Sequence, residues 1–271
     1  QKGFVPALVM LWCNYVPGTW GARVDSLNIM PFQAVKPYVE YVLKKFSRFN
    51  PIYIVSGDTN FETEEASKYY LAVLEIIKNT NPGALTTMHL AGNLTNLPEV
   101  FVKSPLLDFY MYQSGHDFAK QHDTYLMASH FYAKMVHRPV VNGEPCYEGH
   151  GHGAKYGRFN AFDVRRAAWQ SILSGAKAGI AYGAHGIWPW HHKQSCFPSE
   201  NYSKTPYEWR VSLRFRGAWD YSYLKWIFET YKLFDIAPSN IICEQSDEIR
   251  ASASANREKV IVYIPYATNV K

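Results

Sequence analysis

PIYIVSGDTNFETEEASKYYLAVLEIIKNTNPG, residues 51–83, is the stretch on which the fold turns. Ile52-Tyr53-Ile54-Val55 is a short β-branched and aromatic run without polar alternation, the pattern of a strand buried on both faces. It ends at Ser56-Gly57-Asp58. Thr63 is placed to cap a following helix, and Glu64 and Glu65 suit the positive end of its dipole. The helical pattern reaches about Lys78 and stops at the breaker Asn81-Pro82-Gly83. A buried strand followed by such a helix is one β/α unit of a parallel sheet.

The same alternation extends in both directions. Upstream, the apolar run Phe4 to Trp12 leads through a loop, Cys13 to Pro31, into a helical pattern from about Phe32 to Phe49, with Val35, Val39, Val42, Leu43 and Phe46 on one stripe. Downstream, strands are expected near Leu85 to Leu90, Leu106 to Tyr112, Pro139 to Asn142 and Gly179 to Tyr182. Helices are expected from Thr124 to Val136 with Asp123 as cap, from Val164 to Leu173 capped by Asn160 or Asp163 and ended by Gly175, and from Tyr221 to Phe234. Beyond Pro238, Ile249 to Ser254 and Lys259 to Tyr266 read as antiparallel strands.

The total is about six β/α units. No G-x-G-x-x-G turn follows any strand, which leaves a nucleotide-binding open sheet little support. The fold class read here is α/β, a (β/α)8 TIM barrel. Such a barrel has eight strands, so the first visible strand is taken as the third, and the first two units are absent from this chain. Residues 1–238 are then the catalytic barrel, strands three to eight, and 239–271 the beginning of a C-terminal β domain.

Apolar residues make up 47% of the chain and charged residues 19%, enough to bury a sizeable core and too few charges for disorder. Aromatic residues reach 16%, which fits either a ring-rich core or a cleft whose rings stack on sugar faces. The net charge of +5 is spread singly, with no basic run longer than Lys44-Lys45 or Arg165-Arg166, so no nucleic-acid groove is expected. The cysteines Cys13, Cys146, Cys196 and Cys243 form no C-x-x-C pair and no zinc pattern. No run approaches the roughly 20 apolar residues of a membrane span. The opening Gln1-Lys2-Gly3-Phe4 is not a signal peptide. Asn93-Leu94-Thr95 and Asn201-Tyr202-Ser203 match the glycosylation sequon, a short motif that chance often supplies.

Barrel enzymes place their chemistry at the C-terminal ends of the strands. The residues just past each apolar run are Trp12 and Asn14; Asp58 and Asn60; His89 and Asn93; Tyr112, Gln113 and His116; Asn142, Glu144, Tyr147 and Glu148; and Tyr182, His185, Trp188 and Trp190. Acids, amides and rings of this kind suit a sugar site. Glycoside hydrolysis needs one carboxylic acid to protonate the leaving oxygen and one carboxylate to attack the anomeric carbon or activate water. Asp58 and Glu144 are the best pair, because each follows an apolar strand and a glycine. Against this stand a helix-capping role for Asp58 and a buried ion pair for Glu144. Glu148, four residues beyond Glu144, is assigned to substrate binding or to tuning a neighbour. Asp108 lies inside a strand and reads as structural, and Asp117 and Asp123 read as loop and cap residues. His150, His152, His191 and His192 form no H-E-x-x-H motif, so no metal or other cofactor is expected, and no G-x-S-x-G elbow occurs.

PVVNGEPCYEG at Pro139 to Gly149 resembles the strand-seven motif of the apiosidase-like glycoside hydrolases, a bacterial family. IVSGDTN at Ile54 to Asn60, DVRRAAWQSILSGAKAGIAYGAHGIWPW at Asp163 to Trp190 and the late β stretch agree with it, and the likeness covers roughly residues 1 to 240. The resemblance implies a (β/α)8 catalytic barrel, usually followed by a small β-sandwich. It implies an acid/base aspartate at Asp58 and a nucleophile, or equivalent second acid, at Glu144. It further implies removal of apiose from a pectic side chain and a periplasmic or secreted location. The arrangement resembles that of the large bacterial clan of retaining barrel glycosidases, with an aspartate, one methylene shorter, in place of the usual acid/base glutamate. A carboxyl separation of about 5–5.5 Å favours retention and one of about 6.5–9.5 Å inversion; retention is expected.

On this reading Asp58 is the general acid, kept protonated by partial burial and by the charge of Glu144. Gln113, Asn142, Tyr147 and His185 are candidates to hydrogen-bond sugar hydroxyls, and Trp12, Trp188 and Trp190 to stack on sugar faces; Asn60, His89, Glu148 and Tyr182 complete the candidate substrate-binding set. The expected partner is a carbohydrate, and oligomeric state stays open. Three other readings remain: a barrel that binds carbohydrate without catalysis, a metal-dependent hydrolase using the histidine loops, and an adhesive role tied to the trailing β segment.

Overall fold

The computed structural model describes residues 3–243 and 246–271. Gln1 and Lys2 of the opening segment, and Glu244 and Gln245 within the expected β domain, lie outside the described residues. The chain forms two compact units, Gln1–Tyr112 with Met135–Pro139, and Gln113–Lys134 with Val140–Lys271. Among the described residues no helix is long and apolar enough to cross a membrane.

In the first unit, β1 (Ala7–Trp12), β2 (Ile52–Gly57) and β3 (Thr86–Thr87) form a parallel sheet in that order. Leu11 lies opposite Ser56, Trp12 opposite Gly57, and Tyr53 opposite Thr86. All of β2 after Ile52 is buried, as an apolar run without alternation requires. The crossovers carry α1 (Trp20–Val24) and α2 (Phe32–Phe46) before β2, and α3 (Glu64–Thr80) after it. Val35, Val39 and Leu43 form the buried stripe of α2. Thr63 caps α3 by accepting the Ala66 N–H at 3.1 Å, with Glu64 and Glu65 in the first turn, and the helix runs two residues past Lys78.

The next two strands are shorter than expected, and the cause is side-chain competition for the ladder. In place of Leu85 to Leu90, only Thr86–Thr87 pairs regularly. Ser56 Oγ accepts the His89 N–H at 3.0 Å and donates to the His89 carbonyl at 3.1 Å, which it shares with the Thr59 N–H at 3.4 Å. Beyond it the strand continues only as isolated parallel bridges, Thr59 with Leu90 and His89 with Met111. In place of Leu106 to Tyr112, β4 is Tyr110–Tyr112, after the short helix α4 (Glu99–Val102). The Thr86 hydroxyl is shared between the Leu106 carbonyl at 2.5 Å and Asp108 Oδ2 at 2.9 Å, and Asp108 Oδ2 also accepts from the Thr86 N–H and Lys78 Nζ at 2.7 and 2.6 Å. Asp108 is a structural residue.

In the second unit, α5 (Asp123–Tyr132) precedes β5 (Val140–Asn142), which pairs in parallel with β6 (Gly179–Ile180) across α6 (Ala161–Leu173). Asp123 is the first helical residue of α5, not its cap; Thr124 Oγ1 instead donates back to the Gln121 carbonyl at 2.7 Å. The helix also stops at Tyr132, short of Val136. Asn160 and Asp163 together make a capping box, so α6 starts at Ala161, three residues before Val164. Gly175, at φ +119°, takes the chain off the helix. Strand β6 is two residues rather than Gly179 to Tyr182, with a further bridge between Glu148 and Ala184.

The long connection that follows carries α7 (Glu200–Ser203) and α8 (Trp209–Ser212), then α9 (Gly217–Thr230). Helix α9 begins four residues before Tyr221 and ends before Phe234, where Lys232 at φ +51° breaks the spiral. Ala168, Trp169, Ile172 and Leu173 of α6 pack against Leu224 and Phe228 of α9. Strands β7 (Ala237–Pro238), β8 (Arg250–Ala253) and β9 (Val260–Tyr263) form an antiparallel meander, with the Tyr263 ring stacked on Trp169 at 5.9 Å.

Arg138 ties the approach to β4. Its guanidinium donates to the carbonyls of Val102, Ser104 and Leu107 at 2.7, 2.7 and 2.6 Å and to Tyr110 Oη at 2.8 Å. Arg138→Met keeps the stem and strands these acceptors, so it is expected to lower the unfolding free energy by about 2–4 kcal/mol. An unchanged urea midpoint would show that water replaces the guanidinium without cost.

Candidate active site

Each candidate carboxylate stands just past the C-terminal end of a parallel strand, and each has its own surroundings. In the first unit Asp58 follows β2 directly. Gly57 has to be a glycine, since a Cβ there would come within 2.3 Å of the Trp12 ring. Asp58 itself adopts φ +51°, a left-handed conformation that aspartate tolerates better than most residues. That turn is held from both sides: its N–H donates to His89 Nδ1 at 3.2 Å and its carbonyl accepts from Trp20 Nε1 at 2.7 Å.

A backbone N–H can only donate, so His89 Nδ1 presents its lone pair and the ring proton is on Nε2. His89 is buried and stacks on Trp12 at 6.3 Å. Burial, with the charge of Asp58 as the next cause, pushes the Cys13 thiol up to about 12. Asn60 donates through Nδ2 to Glu62, which pairs with Arg23, while its Oδ1 has no hydrogen-bond partner among the described residues. Trp12, Asp58 and His89 are therefore brought together, while the amide donor of Asn60 is taken up by its neighbour.

In the second unit Glu144 follows β5 across Gly143. Its Oε1 lies 3.0 Å from His116 Nε2, and its carbonyl accepts the Gly115 N–H at 3.0 Å. Asn142, fully buried beneath it, donates to Ser114 Oγ and Ser171 Oγ, both at 3.0 Å. Asn142 Oδ1 and Gln113 Oε1 are buried with no hydrogen-bond partner among the described residues. Tyr147 packs its ring on His116 at 4.5 Å.

Glu148 is occupied differently. It is 7% exposed, and its Oε2 accepts from Tyr182 Oη at 2.6 Å and from the Gly217 N–H at the start of α9 at 2.8 Å. Burial first, then the bond to Glu148, raises the Tyr182 phenol far above its ordinary range. Glu148 and Tyr182 form an internal clamp, and this separates Glu148 from its rival Glu144.

His185 is also buried. Its Nε2 faces the Lys204 carbonyl at 2.8 Å and must donate, while Nδ1 has no partner among the described residues. Trp188, 53% exposed, stacks on His185 at 6.0 Å. Trp190, 56% exposed and at φ +47°, lies parallel to Trp209 at 4.8 Å, and the Arg210 guanidinium covers Trp209 at 4.3 Å.

Sequence reasoning passed over Trp20, Trp209 and the role of His116. His116 follows the same strand end as Gln113, but the 28 residues separating it from Glu144 carry no local signal. Among the described residues, no group of three or more His, Cys, Asp or Glu stands together as a metal would require. His152 Nδ1 instead donates to the Tyr156 carbonyl at 3.0 Å.

Burial brings His150 down to about 3 and His185 down to about 4, from an ordinary 6.5. Both folded values lie below the unfolded one, so the unfolded chain binds the extra protons. The stability these rings contribute is whole above about pH 6.5 and is lost as pH falls toward 4, by on the order of 1 kcal/mol per pH unit for each ring. Urea unfolding at pH 7, 6 and 5 checks this; a free energy that stays level over that range would contradict it.

The model of the apiosidase-like catalytic domain family matches residues 1–235. Two solved structures resemble the chain. One is described as a glycoside hydrolase, with 23% identity and a TM-score of 0.78 over 93% of this chain and 58% of that one. The other is a glycoside hydrolase family 5 protein from Bacteroides vulgatus, with 21% identity and a TM-score of 0.78 over 93% of this chain and 56% of that one. At these identities the likeness is one of fold, a mixed α/β architecture with parallel sheets, and the chain spans somewhat more than half the length of both structures. Among curated proteins no sequence matches. The family match over residues 1–235, joined to acids at the ends of parallel strands, assigns this chain to the apiosidase-like family as its catalytic domain.

Proposed function

We propose that this chain is a glycoside hydrolase that cleaves O-glycosidic bonds in plant-cell-wall oligosaccharides of the pectic type, with retention of anomeric configuration. The observation that carries this reading is the position of Asp58 and Glu144, each directly past the C-terminal end of a parallel strand, in a chain of the apiosidase-like catalytic family. Its six β/α units are read as strands three to eight of a (β/α)8 barrel, and the meander after Pro238 as the first strands of a β-sandwich.

Asp58 acts as general acid and gives its proton to the glycosidic oxygen as the bond to the anomeric carbon breaks. The Glu144 carboxylate attacks that carbon and forms a glycosyl ester. Asp58, now a carboxylate, takes a proton from water; the oxygen of that water displaces Glu144, releasing the sugar and restoring both groups. Trp12, Trp188 and Trp190 offer ring faces to the sugars and the half-buried Tyr147 a polar edge, while the buried Gln113, Asn142 and His185 support the site from behind. Asn60, His89, Glu148 and Tyr182 then act on the site by holding its walls.

The test uses apiose-bearing side-chain oligosaccharides prepared from pectin. Glu144→Gln is expected to lower kcat by about 10⁴-fold or more. Asp58→Asn should lose about 10²–10⁴-fold on natural linkages, and much less on an aryl glycoside whose leaving group needs no proton. Turnover near wild type in either variant removes that residue from the mechanism. Proton NMR of the first-formed sugar reads retention directly.

A further inference from the structure

The second unit contains a run of stacked rings that starts at Glu144. His116 touches the carboxylate, His150 stacks on His116 at 4.2 Å and 28°, His185 meets His150 at 4.8 Å, and Trp188 stacks on His185. The three histidines are not equivalent. His150 Nδ1 faces the Gly151 carbonyl at 2.7 Å, and His185 Nε2 faces the Lys204 carbonyl at 2.8 Å. A carbonyl only accepts, so each of these rings has its N–H fixed on the backbone. Burial also keeps both uncharged at neutral pH. Neither has a proton to offer Glu144, and neither repels a charge next to it.

His116 differs in that, among the described residues, the hydrogen bond of its ring is to the carboxylate. Its Nδ1 is buried and has no partner among the described residues. A proton on that nitrogen would be a buried donor with nothing to bond, so the geometry favours the tautomer with the proton on Nε2, pointing at Glu144 Oε1. The ring cannot turn away, because Tyr147 packs on it at 4.5 Å and His150 at 4.2 Å. The backbone repeats the attachment, since the Gly115 N–H donates to the Glu144 carbonyl. Side chain and main chain of Glu144 are thus both fixed by the segment that follows β4.

We infer that His116 is the positioning residue of Glu144: its Nε2–H holds the carboxylate ionised and fixes its rotation, and the stacked His150 holds the His116 ring in place. The inference rests on the proposed role of Glu144 as the attacking carboxylate. A hydrogen bond from an imidazole favours the anion over the acid and restricts the last torsion of a flexible side chain, which is what a nucleophile in a fixed attack geometry requires.

Two variants of the full chain separate the donor from the ring. His116→Phe keeps the ring and its stacking and removes the donor; His116→Gln replaces the ring by an amide N–H at similar reach. With the apiose-bearing pectic oligosaccharides, His116→Phe is expected to lower kcat by about 10–100-fold, the usual loss when an outer partner that orients a reacting group is removed, with KM changed less than about threefold. His116→Gln should recover at least tenfold of that loss. Wild-type kcat in His116→Phe, or equal losses in both variants at unchanged melting temperature, overturns the inference. Near-wild-type turnover in Glu144→Gln instead overturns the reading of Glu144 itself. A second measurement needs no turnover: ¹⁵N NMR of the His116 ring should show the Nε2–H tautomer, with its proton signal moving upfield in Glu144→Gln. An Nδ1–H tautomer in the native chain refutes the assignment even if the variants fail to fold.

Discussion

A parallel strand buried on both faces has no wall on which to carry chemistry. Its backbone groups are spent on neighbouring strands and its side chains on the core, so polar residues concentrate where the strand stops. Strand β2 is the clearest case. Every residue from Tyr53 to Gly57 is buried, and Asp58 is the first carboxylate the chain reaches after them. The same constraint at the end of β5 leads to Asn142, still fully buried, and then past Gly143 to Glu144, which is only partly so. Ser56, a fully buried hydroxyl inside β2, is tolerated because the His89 main chain meets both its donor and its lone pair.

That exchange shows how the site is tied to the scaffold. Ser56 shortens the regular ladder at β3, but it also fixes the His89 backbone, and the His89 ring in turn accepts the N–H of Asp58. The left-handed turn at Asp58 costs conformational energy, which Trp20 and His89 offset by bonding its two backbone groups. In the second unit, His116 meets the Glu144 carboxylate and is itself packed between the rings of Tyr147 and His150. Burial lowers His150 and His185 alike and leaves both rings uncharged at neutral pH.

Much of this was legible in the linear pattern. Apolar runs without alternation, helices with Thr63 and Asn160 at their starts, and the Gly-Asp and Gly-Glu pairs are all short-range features, and the chain alone determined them because each depends on residues a few positions apart. The parallel β/α order follows from the same local signals, whereas Asp108, expected inside a strand, precedes β4 and is structural through its bonds to Lys78 and Thr86.

What only the tertiary structure decided depends on residues far apart in the chain. Ser56 shortens β3, and Thr86 and Asp108 shorten β4, by meeting backbone groups with side chains, and no local propensity announces such competition. Glu144 and Glu148 look alike in sequence; one meets a histidine 28 positions away, and the other is consumed by a tyrosine and a helix start 34 and 69 positions away. The same is true of His116, His150 and His185, three similar side chains given different proton positions by the carbonyl or carboxylate each faces. Hydrogen-bond partners at such separations are set by packing, and packing exists only once the chain has folded.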